Sequence, residues 1–148
     1  MKISLSFKIY GIMLSVAFLV ICSGYSLLAE SPDDIVIIAN KTFNVSELSV
    51  VDVRRMFKKE ITTWKGASVK PIHAPGGSLL RQSFVVRGLG MNEAAEQKYW
   101  QDMKVKKGTS PPFELSNTIR AVFSAPGAIS YCFRKDFNPA VAKMLLVL

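Results

Sequence analysis

The chain has 148 residues, with 19 Lys plus Arg against 11 Asp plus Glu, a net charge of +8. Two cysteines and one histidine are too few for a disulfide framework, a CxxC pair or a Cys/His metal centre. The length suits one domain with a self-sufficient core.

Lys2 and Lys8 are the only charges before Glu30, and Ile9 to Ala29 is almost wholly apolar. A basic start, an apolar stretch and small residues near its end describe a secretory signal. Ser23, Gly24, Ser26 and Ala29 predict cleavage after Ala29, giving a leader 1–29 and a domain 30–148. Two alternatives are open: a retained anchor, since the stretch can span a bilayer, and lipidation at Cys22, for which Val20-Ile21 is a poor lead-in. Loss of Lys2 and Lys8 with the leader leaves +6 on the domain. In an exported protein this favours small anions, anionic envelope surfaces or acidic partners, and disfavours nucleic acid. Cys132 is then the sole cysteine and reads as a small buried hydrophobe.

Ile35-Val36-Ile37-Ile38-Ala39 is a β-branched run suited to a strand covered on both faces, as in a parallel sheet. Ser49 and Asp52 have capping-box spacing and open a helix with Val50, Val53, Met56 and Phe57 on its inner face. Arg54, Arg55, Lys58 and Lys59 fall mostly on the others. Ile61 to Ala74 reads as extended, with Trp64 before a Lys65-Gly66 turn and a short strand at Val69 to Ile72. Pro71 places that strand at an edge or an end.

Pro75-Gly76-Gly77-Ser78 is the sharpest break in the sequence. Ser78 caps a helix through Leu80, Phe84, Val85 and Leu89, which Gly88 and Gly90 end. Asn92 caps the next, with Ala95, Tyr99 and Met103 as its inner stripe. Glu93 and Glu96 read as first-turn charges, and Lys104, Lys106 and Lys107 follow its C-terminus. Gly108 to Glu114 reads as a loop. Ser116 or Asn117 opens a short helix with Ile119, Val122 and Phe123 inward. Pro126-Gly127 ends it, and Ala128 to Phe133 and Met144 to Leu148 are the last strands. Alternating strands and helices predict an α/β layered domain with a mainly parallel sheet.

Three segments together resemble one family. IVIIAN followed by LSVVDVRRMFKKEITTW is similar to the hinge strand, helix and aromatic turn of phosphate-type periplasmic substrate-binding proteins. VKPIHAPGGSLLRQSF is similar to their strand, Gly-Ser-Gly-Thr-type anion loop and helix. IRAVFSAPGAISYCF resembles their helix, Pro-Gly turn and strand, with Ser130 in place of a Gly. The resemblance implies a single lobe of the type 2 periplasmic-binding-protein-like fold. It implies binding of a small oxyanion such as phosphate for transport or sensing, with an envelope protein or membrane transporter as partner. It implies no cofactor and no metal.

The residues themselves describe the same site. Gly76 and Gly77 let backbone approach a ligand closely. The first amides of the following helix, from Leu79 onward, have no intrahelical partner and lie at the positive end of its dipole. The Ser78 hydroxyl and the Arg81 guanidinium add donors, and His73 lies just before the loop. The same turn is also what an ordinary helix cap looks like. Measured against the family, His73 stands where an Arg is usual and Leu79 where a hydroxyl is usual. The carboxylate that accepts the proton of HPO₄²⁻ comes, in the family, from a segment before the hinge strand that this sequence does not show. The resemblance therefore implies weak affinity unless a second subunit closes the site. A module that has kept the fold and lost the ligand, and binds protein through its basic faces, is the alternative. No phosphate loop, dinucleotide fingerprint or hydrolase elbow is present, and no enzyme is expected. The sequons at Asn40 and Asn44 are discounted as bacterial.

Overall fold

The structure, a computed structural model, describes residues 31–45 and 47–148. The leader 1–29, with its cleavage after Ala29 and its alternative at Cys22, lies outside the described residues.

The central sheet has five strands: β1 (Ile35–Ala39), β4 (Lys70–His73), β5 (Phe113–Glu114), β6 (Ala128–Phe133) and β7 (Lys143–Val147). Their order is β5-β4-β6-β1-β7. β4 is parallel to β5 and to β6, while β1 is antiparallel to both β6 and β7. Four strands thus share one direction and β1 alone is reversed, so the domain is α/β with a mainly parallel sheet. The run Ile35–Ala39 is fully buried on both faces, yet its ladders are antiparallel. Burial on both faces follows from the layers that cover a strand, not from its direction.

Two cores result. Ile35, Ile37 and Ala39 face one way, against α1 (Val50–Phe57), α2 (Leu79–Phe84) and the π-helical turn Val85–Leu89. Val36 and Ile38 face the other way, against Val122 of α4 (Thr118–Ser124) and Cys132 of β6. Cys132 is buried and burial pushes its thiol up to about 12, so it packs as a hydrophobe. A small hairpin, β2 (Thr63–Trp64) and β3 (Ala67–Ser68), turns at Lys65-Gly66.

The caps lie where the sequence puts them. Ser49 and Asp52 form a reciprocal capping box. Asn92 caps α3 (Glu93–Lys107), and Asn117 caps α4. Pro71 sits near the start of β4, before the two-residue β5 begins to pair at Ile72. Gly127, at φ +77, brings its backbone so close to Ser68 that a Cβ would lie 2.4 Å from the Ser68 carbonyl oxygen.

Several expectations are corrected. Gly88 lies inside the helical turn, where a Cβ would meet the Phe84 ring at 2.7 Å; Gly90 is the left-handed cap. On α3 the buried residues are Glu96 and Trp100, while Ala95 is exposed. That helix turns a polar face inward because an arginine meets it there. Its last turn holds Lys104, Lys106 and Lys107. Phe123 is 59% exposed; Val122 faces the core as expected, joined by Thr118 and Ala121. Phe113-Glu114, read as loop, forms an edge strand too short to carry a periodic signal. Asn40, whose sequon was discounted, is buried and donates to the Val122 and Phe123 carbonyls.

Candidate ligand-binding site

β4 ends at His73, and the chain turns through Pro75–Ser78 into α2. Gly77 takes φ +74, a conformation costly to any residue with a Cβ. The Ser78 hydroxyl accepts from the Arg81 amide (3.2 Å) and donates to the Pro75 carbonyl (2.7 Å). Its proton is therefore spent on the turn, and Ser78 caps rather than offering a side-chain donor. Gly76 N–H donates to Glu114 Oε2 at 3.1 Å. The amides of Gly77, Leu79 and Leu80 have no partner among the described residues. Leu79 contributes backbone alone, its side chain being 70% exposed.

Arg81 is not a solvated helix residue. It is only 5% exposed, and its Nη2 meets Glu96 Oε1 at 2.6 Å. Both partners lie below one-tenth exposure, so this is a charge-assisted hydrogen bond in a poorly solvated place. Arg81 Nη1 has no hydrogen-bond partner.

His73 is sealed beneath the site, packed against Phe57, Phe84 and Tyr131. The Tyr131 hydroxyl accepts from the Ala74 amide at 3.1 Å and lies 3.1 Å from His73 Nδ1. Burial holds the Tyr131 hydroxyl up at about 12, so it keeps its proton, and with its oxygen already accepting from Ala74 it is free to donate to Nδ1. Nε2 faces Glu96 Oε1 at 3.9 Å, beyond hydrogen-bond reach. Burial first, then the Arg81 and Lys59 charges, lower the imidazole to about 2. His73 is a neutral core histidine and reaches no ligand, contrary to its sequence-based placement in the site.

An open cavity of about 640 Å³ lies over Gly76 and Gly77. Arg81 and Glu114 line it, and one face of α3 forms a wall with Glu93, Glu96, Trp100 and Lys104. Those four recur at helical spacing, so the wall is a single stripe of three turns. The structure thus gathers Gly76, Gly77 and Arg81 into one cavity and leaves Ser78, Leu79 and His73 behind it or at its margin. Glu96, Trp100, Lys104 and Glu114 were not foreseen. The α3 stripe was visible as a spacing, but what it faces is set by tertiary contact. Among the described residues no group of His, Cys, Asp and Glu is placed to hold a metal ion.

No family sequence model and no curated protein sequence matches the chain. Solved structures do resemble it. One is an ABC-type phosphate transport receptor from Vibrio cholerae, at TM-score 0.60 and 15% identity, matching 76% of this chain and 45% of that one. Another, from Clostridium perfringens, is assigned as a phosphate ABC transporter substrate-binding protein and has phosphate bound. It gives TM-score 0.58 and 19% identity over 76% and 44%. PstS from Borrelia burgdorferi gives 0.56 and 15% over 76% and 46%. The domain has the fold of part of these phosphate-type substrate-binding proteins, and the chain spans less than half the length of each. At these identities the likeness is one of fold.

Proposed function

We propose that this is an exported binding module, not an enzyme, that takes a small oxyanion such as phosphate in the cavity over Gly76 and Gly77. The observation that carries this reading is the open cavity over the loop, where the Gly77 amide has no partner and Arg81 forms part of the lining, with the unpaired Leu79 and Leu80 amides at its margin. Lys104 adds a cation on the facing wall. The loop already holds one oxyanion, the Glu114 carboxylate on Gly76 N–H, and an incoming ligand would take its place. Delivery to a membrane transporter or a sensor partner in the envelope belongs to the same proposal.

Leu79→Pro isolates the backbone contribution. Leu79 is the first helical residue, where proline fits, and Ser78 before it is extended at φ −72, ψ 146, as a residue preceding proline requires. The change removes one unpaired N–H and no existing bond. Isothermal titration with phosphate and sulfate should show binding to the wild type, weakened several-fold in this variant at unchanged stability. Absence of heat at millimolar anion contradicts the proposal.

The alternative, a protein-interaction module, is favoured by the sheet edge at β5. Phe113 is 82% exposed there, beside an apolar cavity of about 500 Å³ lined by Ile72, Phe113 and Leu115. The basic residues on and just after α1 favour it less, since Arg54 donates to the Gly88 carbonyl and Lys59 to those of Ser110 and Pro111.

A further inference from the structure

The short edge strand divides two cavities. Glu114 lines the one over Gly77, while Phe113 and Leu115 line a separate groove of about 500 Å³ with Pro71 and Ile72 of β4, as the alternation of side chains along a strand allows. Phe113 is 82% exposed and Leu115 45% exposed. Single exposed apolar side chains are common, but several gathered around one groove mark a binding surface. The volume falls among small-ligand sites, which run from roughly 300 to 1,000 Å³. The edge itself does not suit an added strand. β5 has two residues, and Pro111 and Pro112 before it carry no N–H to offer a partner chain.

The charged residues of the groove, among the described residues, are Lys59 and Lys70, with no carboxylate beside them. Neither lysine is in an ion pair. Lys59 follows the end of α1 with its backbone at φ 54, a left-handed conformation uncommon for a residue with a Cβ. Its Nζ donates to the carbonyls of Ser110 at 2.9 Å and Pro111 at 3.1 Å. Those two bonds fix the ammonium, leave its charge without a counter-ion, and leave one of its three donors unused. Positive charge on both faces opposes a second copy of the chain docking groove to groove.

We propose that this groove binds an apolar carboxylate, an alkyl chain carrying one acid group. The chain lies against Ile72, Phe113 and Leu115, and the carboxylate takes the unused donor of Lys59, with Lys70 as a second positive charge. Covering the chain removes apolar surface from water, and the ion pair supplies the missing counter-ion. A bare anion such as phosphate leaves the apolar lining uncovered, and an uncharged chain leaves Lys59 unpaired, so the groove prefers a ligand with both parts. The inference is independent of the oxyanion reading of the Gly77 cavity, and it gives the exposed Phe113 a small ligand in place of a protein partner.

The test is titration of the purified protein with octanoate, octanol and butanoate. Octanoate should bind about tenfold tighter than octanol, the effect of one charge-assisted contact. It should bind at least about tenfold tighter than butanoate, since each buried methylene contributes up to roughly fourfold. Phe113→Ser, which removes an exposed side chain, should weaken octanoate several-fold at unchanged stability and leave phosphate binding as it was. Lys59→Met should erase the preference for octanoate over octanol. Lys70→Met, whose exposed side chain bonds to nothing among the described residues, should reduce that preference, and it keeps the charge testable should loss of the Ser110 and Pro111 bonds unfold the Lys59 variant. Octanoate and octanol binding alike, displacement of octanoate by phosphate, or no binding at millimolar octanoate overturns the inference. So does a dimer in sedimentation velocity that Phe113→Ser abolishes and octanoate leaves intact, which would give the groove to a second copy of the chain.

Discussion

The Arg81 guanidinium and the Glu96 carboxylate meet at 2.6 Å with their side chains 6% and 8% exposed. The contact ties the helix after the glycine loop to the helix that forms the facing wall. Removing one partner strands a poorly solvated charge, which costs about 3–5 kcal/mol for a fully buried pair. Arg81→Met and Glu96→Leu should each lose a large part of that in urea unfolding. The double variant should recover most of the loss, since two apolar side chains of similar volume need no partner.

The pH dependence of stability should carry the mark of His73, the only histidine in the chain. Its imidazole is lowered from 6.5 to about 2 by burial and by the nearby Arg81 charge. Below pH 6.5 the unfolded chain therefore takes up a proton that the folded one refuses. The contribution is fully present above pH 6.5 and drains away as pH falls from there toward 2, at up to about 1.4 kcal/mol per unit. Unfolding free energies from urea titrations at pH 7.0 and 5.5 should differ by about 1 kcal/mol in the wild type. His73→Gln should show little change over the same interval.

Ser78→Ala should separate capping from ligand binding. Its hydroxyl satisfies the Arg81 amide and clamps the Pro75 carbonyl, so the loss should be about 1 kcal/mol of stability. Because no hydroxyl proton remains for a ligand, anion affinity should stay within about twofold of wild type, by titration at a temperature where both proteins are folded. A large loss of affinity would mean that the hydroxyl turns to the ligand.

Much of the fold was legible because local chemistry and tertiary structure agree. The Ser49–Asp52 box, the caps at Ser78 and Asn92 and the turn at Lys65-Gly66 are short-range events that four or five residues decide. The reversal of β1 was hidden, since a strand buried on both faces reads alike in either direction. The site was half legible. Gly76 and Gly77 announced a close approach of backbone. Glu114 comes to them from a position 38 residues away in sequence, on a strand of two residues. Arg81, read as a ligand donor, and Glu96, read as a first-turn charge, are paired only by the packing of α2 against α3. His73 looked like a strand-end polar group and lies instead within an aromatic cluster where Phe84 and Tyr131 stack at 3.8 Å. Pairing of this kind belongs to the layers, and no periodicity in the chain encodes it.

The loop amides define the oxyanion site, and amide chemical shifts report on them directly. In a phosphate titration followed by ¹H–¹⁵N correlation spectra, the Gly76, Gly77, Leu79 and Leu80 resonances should move together and saturate. Arg54 and Arg55 on α1, which do not line the cavity, should stay in place. Saturating shifts confined to other lysine and arginine positions, or no shifts at the loop at millimolar phosphate, would contradict it.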